Sequence, residues 1–381
     1  MKTLLRPYRQ FCAQLRSQNL LRGLPLTSDL PFDFSTNDYL GLSVSLNHDK
    51  SLLADLSSSA VGAKASRLIM PDQSSLTALE HAVASAKNTP AALIFATGFQ
   101  ANVSVIQALL DPKVLGKPAR VFSDKLIHAS LLLGLRTVEH IHHRFRHADM
   151  EHLEYLLKKT AQDSHPKFIL TESVFGMDGD LADLERLIQL AHDYKAMLYV
   201  DEAHATGLFG PQGYGCSTLY PGNTIPLVMG TFSKALGTSG AYVACSREIK
   251  RYLINRASGL IYSTALSPLQ TQIMHHAWMK IPTLQPKVKA LMAYATRLRA
   301  TLTQQGFDIG HSETNIIPII LKSAKSTLAA QQQLLTQGIR VGAIRPPSVP
   351  QNTSRLRIAL SLAHTPDAID YLETSLSTLP L

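Results

Sequence analysis

The sequence predicts an α/β protein: a parallel sheet covered on both faces by helices, followed by a smaller α+β unit. Three observations carry this. Short apolar runs alternate with helical patterns from residue 91 to residue 245. The runs are largely apolar, which marks strands buried on both faces. From about residue 267 the pattern changes to two long helical stretches and a shorter strand–helix unit.

The elements follow in order. Residues 1–21 read as an amphipathic helix, with Leu4, Tyr8, Phe11 and Leu15 at helical spacing. Residues 91–96 (AALIFA) form a strand and 98–110 a helix, with Thr97 as its N-cap. Strands at 120–123 (RVFS), 167–171 (KFILT) and 197–200 (MLYV) alternate with helices at 127–135 and 181–194. Two more strands cover 226–230 and 240–245. Helices at 268–279 and 283–305 come next. A last unit has strands at 316–321, 339–343 and 355–360 and helices at 328–337 and 366–377. The expected division is an N-terminal helix and extension (1–44), a large cofactor-binding domain (45–267) and a small α+β domain (268–381). The opening helix packs on either domain as far as sequence shows.

The chain has 381 residues, enough for two or three domains and a large core. With 45% apolar and 17% charged residues, wholesale disorder is not expected. No run reaches the ~18–20 apolar residues of a membrane span. The start lacks a continuous apolar stretch, so no secretory signal is expected. The net charge is +9, but the basic residues are scattered and no nucleic-acid-binding signature interleaves them. An anionic small molecule or an acidic carrier protein suits this charge better than nucleic acid. Three widely spaced cysteines, Cys12, Cys216 and Cys245, fit a reducing cytoplasm and give no zinc site.

In an open α/β sheet, ligands bind beyond the carboxyl ends of the strands. The polar residues there are Thr97-Gly98-Phe99, Asp124 to His128, Thr171-Glu172, Asp201 to His204, and Thr231 to Lys234. Lys234 lies between an apolar strand and a Gly/Ser stretch. Partial loss of hydration lowers a lysine pKa and makes a Schiff-base nucleophile; a solvated loop lysine is the plainer alternative. Asp201 ends a buried strand. It is either a partner that keeps a pyridinium N–H charged, or a helix cap or structural ion pair. His128 opens a helix, where an imidazole stacks on a ring, carries a proton or simply caps. Gly98-Phe99 also opens a helix, a site that suits phosphate. His140, His142, His143 and His147 lack cysteine support and have few acidic neighbours, so exposed loop histidines are expected and no metal. A lysine, an aspartate, two histidines and a phosphate cradle on successive strand ends are what pyridoxal 5′-phosphate needs.

Ordered motifs carry a family resemblance over nearly the whole chain. They are STNDYLGL (35–42), ATGFQANVSVI (96–106), SDKLIHASLL (123–132), TESVFGMDGD (171–180), VDEAHATGLFGPQGYG (200–215), GTFSKALGTSGAYV (230–243), IYSTALSP (261–268) and AIRPPSVP (343–350). The chain resembles the α-oxoamine synthases, pyridoxal-phosphate enzymes of fold type I. That implies an aminotransferase-like large domain with a mostly parallel sheet, plus the small C-terminal domain. It also implies roles. Lys234 would hold the cofactor covalently, Asp201 would pair with the ring nitrogen, His128 would stack on the ring and His204 would bind the ring hydroxyl. Gly98, Phe99, Thr231 and Ser233 would surround the phosphate or ring edge. Thr264 would reach a neighbouring subunit's phosphate, implying a homodimer. Asn37 and Arg357 would contact the substrate carboxylate. Arg22, Ser348 and His128 would make further substrate contacts, and Glu172 would lie nearby.

Within the family, IRPPSVP, RLRIALSLAH and the length are most similar to the biotin-pathway member. The reaction implied is decarboxylative condensation of L-alanine with a pimeloyl group on coenzyme A or acyl carrier protein, in the cytoplasm. Glycine or serine with another acyl thioester, an aminotransferase, and a non-catalytic binding homologue are the alternatives. Two departures from the family pattern stand out. GAKASRLIMP (62–71) has Lys64, Ala65 and Pro71 where glycines are usual, and Gly176 replaces a common serine beside the cofactor.

Overall fold

The computed structural model describes residues 3–24, 30–56, 59–70, 73–222 and 224–379. The chain divides into two compact units. The larger is Asn37–Phe175 with Leu181–Val288; the smaller is Met1–Thr36, Gly176–Asp180 and Lys289–Leu381.

The larger unit is built on a seven-stranded sheet. Its strands are β1 (Ala91–Phe95), β2 (Ala119–Asp124), β3 (His140–Phe145), β4 (Lys167–Glu172), β5 (Ala196–Asp201), β6 (Leu227–Thr231) and β7 (Ala241–Cys245). Their order is β1-β7-β6-β5-β4-β2-β3. All run the same way except β7, which is antiparallel to β1 and β6. The apolar runs foretold a parallel sheet, and β7 departs from it for a simple reason. Only residues 232–240 join it to β6, too few for the crossover that a parallel neighbour requires.

Burial explains why these runs are strands. Every residue of β1, β6 and β7 is buried. One core cluster joins Leu93, Val121, Leu170, Tyr199, Met229 and Val243 to helix residues such as Val105 and Leu131. Each large apolar side chain so buried contributes roughly 1.5–3 kcal/mol.

β3 is a correction. His140, His142 and His143 stand on this strand, not in a loop, and among the described residues it pairs only with β2. A polar, half-buried sequence gives no apolar run, yet suits an edge strand, which must discourage further pairing.

The helix Pro268–Gln304 is a second correction: one continuous helix contains Pro282 and Pro286, where two helices were expected. Trp278, Ile281, Val288, Leu291, Ala295, Leu298 and Leu302 are all buried. Their spacing keeps one apolar face through both prolines, and that packing outweighs the backbone hydrogen bonds the prolines remove.

The smaller unit holds a three-stranded antiparallel sheet of β8 (Ile316–Lys322), β9 (Gly342–Ile344) and β10 (Ser354–Ala359), with β10 central. Helices Ala324–Thr336 and Pro366–Leu376 supply Ala330, Leu334, Ile369 and Leu372 to its core. Phe32–Asp33 pairs in parallel with Ile339–Arg340. The opening helix is Arg6–Ser17, and none of its residues is buried. Among the described residues, no helix is long and apolar enough to cross a membrane.

Candidate active site

The carboxyl ends of β1, β2, β4, β5 and β6 lie on one edge of the large sheet, because those strands run parallel. Lys234 follows β6. Its Nζ lies 2.9 Å from His204 Nε2. The other ring nitrogen, Nδ1, is 2.7 Å from the hydroxyl of Tyr39, which is fully buried. That hydroxyl donates to Asn37 Oδ1 at 3.1 Å, so its oxygen accepts from Nδ1–H and leaves the Nε2 lone pair facing the lysine.

Asp201 ends β5 and is buried. Asn102 Nδ2 donates to its Oδ2 at 2.8 Å, and the Ala203 amide donates to its Oδ1 at 2.9 Å. Asn102 also donates to Ser130 Oγ at 2.9 Å and accepts from the Tyr199 hydroxyl at 2.7 Å. Ser130 Oγ is in turn 2.7 Å from His128 Nδ1. His128 caps the helix Ala129–Arg136 through that nitrogen. Burial holds its imidazole below the ordinary pKa; Asp201 opposes this and Lys234 adds to it. Glu172, the register partner of Asp201, is buried, and burial together with the Asp201 charge raises its carboxyl well above the usual range.

Thr97 caps the helix Gly98–Leu109, accepting from the Gln100 amide at 3.0 Å. Its first amides have no partner within the helix and point out of its start. A Cβ on Gly98 would sit 2.7 Å from Thr231 Cγ2, so glycine permits this approach of helix to strand end. Thr231 Oγ1 is buried with no hydrogen-bond partner among the described residues. Phe99 is half exposed, and Ser233 and Thr264 are exposed. Thr264 bridges Ser66 through its backbone.

In the smaller unit, Arg22 Nη2 donates to Ser348 Oγ at 3.0 Å. Buried Arg357 donates from Nε to the Gly176 carbonyl at 2.6 Å. At the departure from glycine, Lys64 is exposed and has φ +67°, a left-handed conformation that keeps the shape a glycine takes most easily. Pro71 lies outside the described residues.

The histidines of β3 are engaged locally. His142 Nε2 is 2.8 Å from Ser123 Oγ, and burial with neighbouring cations pushes its pKa down to about 4. His143 meets Arg120 at 2.7 Å, and His147 meets Asp124 at 2.9 Å. No group of three or more potential ligands stands ready for a metal among the described residues.

Sequence reasoning missed Asn102, Tyr199, Ser130 and Tyr39. Asn102 left a signal. It is a polar residue among Ala101, Val105 and Ile106, all buried in the same helix. A buried amide must find partners.

The aminotransferase class I and II family model matches residues 31–376. The chain belongs to that family. A putative 8-amino-7-oxononanoate synthase of Magnetococcus marinus is 44% identical over 369 residues, 94% of this chain and 93% of that one. An 8-amino-7-oxononanoate synthase of Gluconacetobacter diazotrophicus is 43% identical over 90% of this chain and 86% of its own. Among solved structures, an 8-amino-7-oxononanoate synthase from Francisella tularensis aligns with TM-score 0.77 at 25% identity, covering 92% of this chain and 97% of that one. A serine palmitoyltransferase from Sphingomonas wittichii aligns with TM-score 0.88 at 24% identity over 99% and 98% of the two chains, a likeness of fold.

The residues present fit a phosphorylated pyridine aldehyde. An amine sits by an imidazole, and an anchored carboxylate keeps lone pairs for a ring N–H. The Thr231 hydroxyl, without a partner among the described residues, lies beside a helix start whose N–H groups can donate to phosphate.

Proposed function

We propose that the chain is a pyridoxal 5′-phosphate-dependent acyltransferase of biotin synthesis. It joins L-alanine to the pimeloyl group of a thioester, carried on coenzyme A or acyl carrier protein. The products are 8-amino-7-oxononanoate, carbon dioxide and the free thiol. The observation that carries the reading is Lys234 Nζ, held 2.9 Å from His204 on the edge that also bears Asp201. The curated relatives at 43–44% identity narrow the substrates. We further propose that it acts as a cytoplasmic homodimer, with Thr264 serving the partner's phosphate site.

When bound, the cofactor supplies an electron sink for a carbanion at the amino-acid Cα. Lys234 would tether it, and the lysine amine would take the Cα proton of alanine as general base. Tyr39 fixes the His204 ring, and His204 Nε2 orients the lysine and the ring hydroxyl. Asp201, held by Asn102 and Ala203 N, would keep the proton on the ring nitrogen, and His128 would cover the ring face. The Gly98 and Phe99 amides, Thr231 and Ser233 bind phosphate. Arg22, Asn37, Ser348 and Arg357 are assigned to substrate, and Gly176 offers backbone where the family has a hydroxyl.

Product analysis tests the reading. Alanine, glycine and serine are each offered with pimeloyl and short acyl thioesters. The expected product is 8-amino-7-oxononanoate from alanine and pimeloyl thioester. Turnover of glycine with acetyl thioester, and none of alanine with pimeloyl thioester, overturns it.

A further inference from the structure

Glu202, the residue after Asp201, belongs to a buried charged pair that no step above uses. The side chains of Lys87 and Glu202 are both fully buried. Lys87 follows the helix Ser74–Ala86, and its ammonium donates to Glu202 Oε2. Ser217 completes the cage: its amide donates to Oε1 at 2.6 Å and its hydroxyl to Oε2 at 2.9 Å. The ammonium also lies 5.5 Å from the centroid of the Tyr242 ring. Gly215, at φ +110°, closes the loop over the pair, and a Cβ there would collide with both charged groups.

Burying an ion pair costs more than apolar packing of equal volume would, so stability alone does not account for it. Its position does. Asp201 and Glu202 are consecutive carboxylates at one strand end, and their side chains leave on opposite faces. Asp201 meets Asn102 and Glu202 meets Lys87. The Glu202 amide also donates to the Met229 carbonyl at 2.7 Å, and the Thr206 hydroxyl donates to the Glu202 carbonyl at 3.0 Å. Glu202 therefore anchors the backbone that presents Asp201 and His204. Its charge would add a second anion to the site if it stood alone.

We propose that Lys87 and Glu202 are positioning residues whose charges cancel, so that Glu202 anchors the Asp201–His204 turn without altering the field at Lys234. This rests on the reading of Lys234 given above. His204 contacts Lys234 at 2.9 Å, and His128 and Glu172 lie near enough to feel its charge, with Asp201 in the same cluster. On the far side, Tyr242, Ser217 and Cys216 surround the pair, and burial with the Glu202 charge pushes the Cys216 thiol up to about 12.

The test loads parent and variants with pyridoxal 5′-phosphate and follows the visible absorption band against pH, with circular dichroism as a check on folding. Glu202→Gln leaves an extra cation, which disfavours the protonated form at Lys234. Its midpoint is expected to fall by about half a pH unit or more, the size of one charge acting through a screened interior. Lys87→Met leaves an extra anion and is expected to raise the midpoint by a similar amount. The double variant is expected to return to the parent value. Ser217→Ala keeps both charges and is expected to leave the midpoint in place. Folded single variants that shift together or do not shift overturn the proposal, as does Ser217→Ala moving as far as Glu202→Gln. If Lys87→Met does not fold, the comparison of Glu202→Gln with Ser217→Ala decides alone. A parent without a titrating band overturns the Lys234 reading instead.

Discussion

Asn102 and Asp201 are joined by a 2.8 Å hydrogen bond between two buried side chains, from Nδ2 to Oδ2. The same amide accepts from Tyr199 and donates to Ser130, so it fixes the carboxylate against two neighbouring elements. Asn102→Ala strips the partner from a buried phenol and from a charged oxygen. Each loss costs about 1–3 kcal/mol. Urea unfolding of the cofactor-free protein is expected to show a destabilisation of that order. Cofactor titration is expected to show about tenfold or weaker binding. Unchanged affinity would detach Asp201 from the site.

Thr231→Val has the opposite sign on stability. Its hydroxyl is buried without a partner among the described residues, so removing it relieves a desolvation cost of about 1 kcal/mol. The cofactor-free protein is expected to melt no lower than the parent. Affinity for pyridoxal 5′-phosphate is expected to drop while affinity for unphosphorylated pyridoxal stays. Equal loss for both would place the phosphate elsewhere.

Lys234→Ala is expected to remove the yellow colour and to lower the rate by about 10²–10⁴-fold or more. Borohydride treatment of the loaded parent, followed by peptide mapping, is expected to find the label on Lys234. A label on another lysine contradicts the assignment.

Glu172 ties stability to pH. Its carboxyl is raised well above its ordinary value by burial and by Asp201. A raised acid favours the fold fully below its unfolded pKa, near 4.5, and loses that contribution as pH rises toward its folded value. Glu172→Gln has no proton to lose. The variant is therefore expected to gain stability over the parent as pH rises from 4.5, at a slope of about 1 kcal/mol per pH unit. Denaturant unfolding from about pH 4 to pH 8 reads this, and a constant gap between the two proteins refutes it.

Much of this arrangement was legible in the sequence. β1, β2, β4, β5 and β6 announced themselves because burial on both faces demands uninterrupted apolar residues. The chemical residues then fell on their carboxyl ends by topology alone. Thr97 was readable as a cap for the same local reason. What escaped was set by partners distant in the chain. β3 is polar because it is an edge, and β7 takes its direction from the shortness of its connection. The helix Pro268–Gln304 crosses two prolines because its buried face holds it. Asn102 was hidden because its value lies in Asp201 and Tyr199, each about a hundred positions away.

The reversed direction of β7 has a geometric consequence. At the edge where its neighbours finish, β7 begins, so the segment 232–240 that enters it is the same turn that leaves β6 and carries Lys234. β1 and β6 themselves stand two strand spacings apart, about 9.6 Å, with β7 between them. A forward-running strand in that slot would have filled the interval with its own exit. The lone backward strand thereby leaves room for the start of the helix Gly98–Leu109 to close on Thr231.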